Sequence, residues 1–184
     1  MNIDKTLYHS RPEEKRIPKE ERCYDLLEQL GIEFARVDHD HADTIEACRD
    51  IEKLLGCRIC KNLFLTNRQQ TAFYLLLMPG DKPFFTKVLS KQIGTARLSF
   101  ASAEHMEKYL DIIPGSVSVM GLMNDKDAAV RLLVDAELLK DEYLGCHPCN
   151  NTTSLRLKMS DVVEKLIPAM KHDMTVVELP WTLE

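Results

Sequence analysis

Leu75-Leu76-Leu77-Met78 is apolar at every position and closes the run Thr71–Met78, which is rich in strand-favouring residues. A strand with no polar alternation has no face to give to water. It must lie centrally in a sheet covered on both sides. A second such run, Asn62–Thr66, precedes it across Asn67-Arg68-Gln69-Gln70, so the two read as a hairpin. The chain has 184 residues, 45% of them hydrophobic, which suits a single domain spanning residues 1–184. Met1–Ile17 is an irregular charged extension broken by Pro12, with Pro18 just beyond.

Around the hairpin the pattern alternates between helix and strand. Pro18 opens a helix to Leu30, with Cys23, Leu26, Leu27 and Leu30 as its stripe and Gly31 as its stop. A short strand over Ile32–Val37 follows. Asp43-Thr44-Ile45-Glu46 has the form of a capping box for a helix to Leu55. Further helices are expected over Phe84–Gln92, Ala103–Leu110 and Asp161–Met170, the last capped by Ser160. Strands are expected over Arg97–Phe100, Ser116–Met120, Ala128–Val134, Thr153–Met159 and Thr175–Leu179. The expectation is an α+β fold: a mixed, largely antiparallel, barrel-like sheet core flanked by helices.

The formal net charge of −5 hides a strong asymmetry. Between Lys53 and Ala103 there are eight cations and one acid, Asp81, giving +7 and leaving −12 on the remainder. A basic half in an acidic chain points to a phosphate-rich partner; evenly solvated lysines are the alternative. No apolar run approaches the ~20 residues of a membrane span. The first twenty residues lack the apolar core of a secretory leader, so a cytoplasmic location is expected and membrane association is not.

Six cysteines in such a chain fit a reducing compartment. Four form two Cys-x-x-Cys pairs, Cys57/Cys60 and Cys146/Cys149, which could together hold a tetrahedral zinc ion. Cys60 opens a strand rather than a knuckle turn, and the pairs lie far apart in the chain. Structural or redox-sensitive thiols are therefore the favoured reading, and no cofactor or metal is expected. Cys23 and Cys48 fall on apolar helix stripes. His39-Asp40-His41 reads as a metal-binding or plain surface turn. His147 stands out in Gly145-Cys146-His147-Pro148-Cys149-Asn150-Asn151, where donors, a proton carrier and a rigid turn are concentrated. Lys61 starts an apolar strand, either with its ammonium reaching to water or aimed into a cleft at a phosphate or carboxylate. No Gly-rich phosphate loop, nucleophile elbow or His-Glu-x-x-His is present.

Taken in order, several segments resemble the YbaK/ProX-type aminoacyl-tRNA editing family, and most closely its free-standing, alanine-specific branch. They are His39 with Asp43-Thr44-Ile45-Glu46-Ala47, Cys60–Leu65, Leu76–Asp81, Gly94–Ser102, Pro114–Ser118, and Gly145–Pro148 with Asn151-Thr152-Thr153. Leu144 departs from the pattern, standing where the family loop often begins with glycine. The resemblance implies a trans-editing hydrolase that deacylates mischarged tRNA, Ala-tRNA(Pro) above all. The alternatives are a Cys-tRNA(Pro) hydrolase and a non-catalytic tRNA- or synthetase-binding module.

It further implies Lys61, His147 and Asn62 as catalytic residues. Thr44, Gly115, Ser116, Gly145, Cys146, Pro148 and Asn151 would bind the substrate, the amides of the Gly145–Pro148 turn positioning its ester. Lys82, Lys87 and Lys91, expected along one helix, would meet acceptor-stem phosphates. The implied partners are the acceptor end of mischarged tRNA(Pro) and prolyl-tRNA synthetase, not DNA.

Overall fold

The computed structural model describes residues 1–183 and contains two sheets. In chain order the elements are α1 (Pro18–Gln29), β1 (Phe34–Asp38), α2 (Ile45–Leu55), β2 (Lys61–Thr66), β3 (Phe73–Met78), α3 (Thr86–Ile93), β4 (Ser99–Phe100) and α4 (Ala103–Leu110). Then come β5 (Val130–Asp135), β6 (Tyr143–Cys146), β7 (Thr153–Lys158), a helical segment and β8 (Met174–Val177). The five-stranded sheet has the order β4-β2-β3-β5-β8, and the three-stranded sheet β1-β7-β6.

The apolar strand is central, as its composition demands. β3 pairs antiparallel with β2 and parallel with β5, and its side chains feed two different cores. Leu75 and Leu77 point into the larger one, shared with α1, α4 and the three-stranded sheet. Leu76 and Met78 point into the smaller one, under Leu89 of α3, with Leu65, Leu98, Leu133 and Val177. A third cluster, Val37, Ile51 and Leu55, seats α2 on β1.

Four expectations change. The core is not a barrel. β5 and β8 join in parallel, so the five-stranded sheet is mixed, and the two sheets stay separate apart from one bridge, Ile59↔Gly145. Ser116–Met120 is not a strand: Ser118 Oγ accepts the Met120 amide at 3.2 Å and starts a 3₁₀ turn over Val119–Asn124. The helical segment after β7 starts at Met159 with Lys158, not Ser160, as its cap. It widens to a π-helix over Val162–Leu166 before Pro168, which cannot donate to the Glu164 carbonyl. Finally, β6 is a strand where a loop was expected from Gly145 onward.

The N-terminal extension lies along β1, with bridges Ile3↔His39 and Tyr8↔Arg36. Among the described residues no helix is long and apolar enough to cross a membrane.

Candidate active site

The single bridge between the sheets builds the site. Gly145 N–H donates to the Arg58 carbonyl at 3.1 Å, and Cys60 N–H donates to the Gly145 carbonyl at 3.0 Å. Only glycine fits there, because a Cβ on residue 145 would stand 2.5 Å from the Arg58 oxygen. The two chains run parallel at this point. Cys60 and Cys146 follow the bridge by one residue and are both buried. Lys61 and His147 follow it by two, so alternation sends them away from the two thiols. Gly145 therefore spends both backbone groups on the scaffold, and Pro148 has no N–H. The expected turn amides are reduced accordingly.

Lys61 is half-buried and donates to the Lys82 carbonyl at 2.5 Å. Burial holds its pKa below the ordinary lysine value, partly opposed by Asp81. His147 points its Nδ1 at the Thr153 carbonyl, 2.9 Å away. A carbonyl only accepts, so the proton sits on Nδ1 and Nε2 carries a free lone pair. Burial, aided by the neighbouring His39 and His41 and opposed by that carbonyl, pushes the ring down to about 4. At neutral pH it is an uncharged acceptor.

A second histidine, expected on a metal-binding or plain surface turn, is instead buried beside it. His39 is buried at the end of β1, its ring 6.1 Å from that of His147. It donates from Nδ1 to the Asp40 carbonyl at 2.7 Å, and its Nε2 accepts from Ser154 Oγ at 2.8 Å. Ser154 Oγ lies 3.4 Å from His147 Nδ1, so one hydroxyl ties both rings. No local pattern in the sequence marks this pair: the β1–β7 pairing, in which Val37 faces Ser154, brings them together.

The surrounding loops are pinned from below. Asn151 is buried and grips Ala42, its Oδ1 accepting the Ala42 amide at 3.3 Å. Gly115, at φ +91°, turns the next loop against Asn151. Asn150 donates to Glu20 at 3.0 Å, and Glu20 is a fully buried carboxylate that also accepts the Tyr24 hydroxyl at 2.7 Å. Two buried acceptors in this region lack any partner among the described residues: Asn62 Oδ1 and Ser116 Oγ. A buried polar atom without a partner is costly unless something else fills the position.

Not every expected residue sits with these. Lys82 precedes α3 rather than lying along it, and its ammonium is fully buried, bonded to Asp135 at 2.7 Å, Glu137 at 2.6 Å and the Leu179 carbonyl at 2.8 Å. With two carboxylates already on it, it has no charge to offer a phosphate. Lys87 and Lys91 do lie on α3 and are exposed. Thr44 caps α2, its Oγ1 accepting the Ala47 amide at 3.1 Å, and its side chain is exposed. Cys146 faces the core, not the site, and Pro148 is buried.

Cys23, Cys60, Cys146 and Cys149 pack as buried core residues, while Cys48 and Cys57 are half-buried. Cys23 and Cys149 approach to 3.6 Å, and burial pushes Cys57 and Cys60 up to about 12. Among the described residues no group of three or more His, Cys, Asp or Glu side chains is placed to hold a metal ion.

Comparison with known proteins identifies the family. Residues 39–165 match the model of the aminoacyl-tRNA editing domain, a span that includes Lys61, His147 and His39. The prolyl-tRNA editing protein ProX of Acetoanaerobium sticklandii is 33% identical over 153 residues, covering 83% of this chain and 93% of that one. The prolyl-tRNA synthetase associated domain-containing protein 1 of Danio rerio is 26% identical over 77% of this chain and 78% of that one. A solved structure described as a candidate trans-editing enzyme for prolyl-tRNA synthetase shares the fold, with a TM-score of 0.65 at 14% identity over 90% of this chain and all of that one. The chain belongs to the aminoacyl-tRNA editing domain family, and its enzyme class is that of an aminoacyl-tRNA deacylase, a hydrolase.

Proposed function

We propose that this chain hydrolyses the ester joining alanine to mischarged tRNA(Pro), releasing free alanine and intact tRNA. The observation that carries the reading is the Ile59↔Gly145 bridge, which sets Lys61 and His147 at matching positions on neighbouring parallel chains. The 33%-identical relative named a prolyl-tRNA editing protein supports tRNA(Pro) as the substrate class. The likeness of Gly145–Pro148 and Asn151-Thr152-Thr153 to the alanine-specific branch supports alanine. A synthetase pocket shaped for proline rejects the smaller alanine by only ~1–3 kcal/mol, so a second hydrolytic site has work to do.

The ester is already activated, and positioning accounts for most of what catalysis requires. In this reading His147 Nε2 accepts a hydrogen bond from the attacking water. A ring that titrates near 4 is a weak base at neutral pH, so its task is to orient that water rather than to hold its proton. Water adds to the ester carbonyl and the tetrahedral oxyanion forms beside the Lys61 ammonium; on collapse the bond to the ribose oxygen breaks, that oxygen takes the proton given up by the attacking water, and alanine leaves as its carboxylic acid, which ionises in solution. Ser116 Oγ, which lacks a partner, suits the α-ammonium of the bound aminoacyl group, whereas Asn62 alternates with Lys61 and turns its amide to Cys60 on the face of the thiols. Gly145 and Asn151 hold the loop in place.

Deacylation of Ala-tRNA(Pro), Cys-tRNA(Pro) and Pro-tRNA(Pro), compared side by side, tests the substrate. Alanine is expected to leave fastest and proline to persist at the buffer rate. Faster release of cysteine would move the assignment to Cys-tRNA(Pro).

A further inference from the structure

Beside the site lies an exposed aromatic edge that the reaction does not use. β4 pairs with β2 so that Phe100 stands opposite Leu65. Residues opposite one another in a pair share a face, and alternation along β2 puts Lys61, Leu63 and Leu65 together. Phe100 and Lys61 therefore belong to the same face of the five-stranded sheet. Phe84 connects them: it follows by two residues the Lys82 carbonyl that holds Lys61, and its ring lies 6.4 Å from that of Phe100. Phe100 is 65% exposed, at the open edge of the sheet.

The charge carried by the segment that holds this pair is of one sign. From Lys82 to Ala103 the sequence has no carboxylate, while Lys87, Lys91 and Arg97 are exposed and have no ion-pair partner among the described residues. Lys87 and Lys91 are four apart on α3 and share a face. Glu178 meets α3 through Gln92, which lies on a different row. An exposed ring with unpaired cations in an otherwise acidic chain is a poor surface for an apolar protein partner. It has the makeup of a surface for unpaired nucleotides, where bases stack on rings and phosphates meet the cations.

We propose that Phe100, backed by Phe84 and flanked by Lys87, Lys91 and Arg97, is the stacking platform for the unpaired 3′ end of the tRNA, leading the terminal ester toward Lys61. This rests on the proposed deacylase reading and extends it to how the acceptor end is held.

The test measures KM and kcat on Ala-tRNA(Pro) for wild type, Phe100→Ala, Phe100→Tyr and the double variant Lys87→Glu/Lys91→Glu. A minimal substrate, alanine esterified to adenosine alone, is run in parallel. Phe100→Ala is expected to raise KM for the tRNA about tenfold, with kcat and the minimal substrate unaffected and with Phe100→Tyr restoring KM. The charge reversal should raise KM and flatten its salt dependence. If wild type deacylates Ala-tRNA(Pro) but Phe100→Ala leaves KM unchanged, the platform is wrong and the deacylase reading stands. If wild type hydrolyses neither substrate, the deacylase reading itself fails. Loss of binding to prolyl-tRNA synthetase with tRNA KM unchanged would make the surface a protein interface and overturn the proposal.

Discussion

Cys60 donates its amide to the carbonyl of Gly145 at 3.0 Å while Gly145 donates its own to the Arg58 carbonyl at 3.1 Å, and this pair of hydrogen bonds joins the two sheets beside the proposed site. On one side the chain continues into Lys61 and Asn62, on the other into His147 and the loop to Asn151. The thiols of Cys60 and Cys146 point into the core and pack there with its apolar side chains.

Gly145→Ala tests the bridge. Its Cβ would meet the Arg58 oxygen at 2.5 Å and the Ile59 Cα at 3.0 Å, backbone atoms with little freedom to move. The variant is expected to lose about 1–3 kcal/mol of stability in urea unfolding and to deacylate more slowly even where it is fully folded.

His147 sets a pH dependence. Its folded value of about 4 lies below the ordinary 6.5, because burial disfavours the charged ring. Between those values the unfolded chain binds the proton and the folded chain does not. Stability therefore falls as pH drops from 6.5 to 4, by up to about 3 kcal/mol from this ring, and His39, also lowered by burial, adds in the same direction. Thermal unfolding of wild type and His147→Gln across that range should show a shallower slope for the variant.

Lys82 has a structural role that can be separated from RNA binding. Its ammonium is buried against Asp135, and removing one partner of such a pair typically costs about 3–5 kcal/mol. Lys82→Ala and Asp135→Ala should each lower the unfolding midpoint by a comparable amount. A Lys82→Ala protein with unchanged stability and weakened tRNA affinity would reverse the assignment.

Much of this was legible in the sequence for reasons that the structure makes plain. The apolar run Leu75–Met78 could only be a covered strand, and the ends of Ala103–Leu110 were set by Ser102 and Asp111. What could not be read was long-range. Lys82 looks like its neighbours Lys87 and Lys91, and only the fold, by bringing up Asp135 and Glu137, takes it out of solvent. Ser116–Met120 has a strand's composition, but its Ser118 cap diverts it to a 3₁₀ turn. His39 and His147 are far apart in the chain, and the β1–β7 pairing that unites them leaves no local mark.

Lys61 and His147, positioned by the Gly145 bridge, carry the proposed hydrolysis of the aminoacyl ester. The most direct measurement is the single-turnover rate of Ala-tRNA(Pro) deacylation by wild type, Lys61→Ala and His147→Ala at neutral pH, each variant first shown to be folded. Wild type should exceed the buffer rate by orders of magnitude, and each variant should lose about 10²-fold or more, the scale seen when one transition-state donor is removed. Wild-type activity that survives both substitutions would place the chemistry elsewhere in the fold.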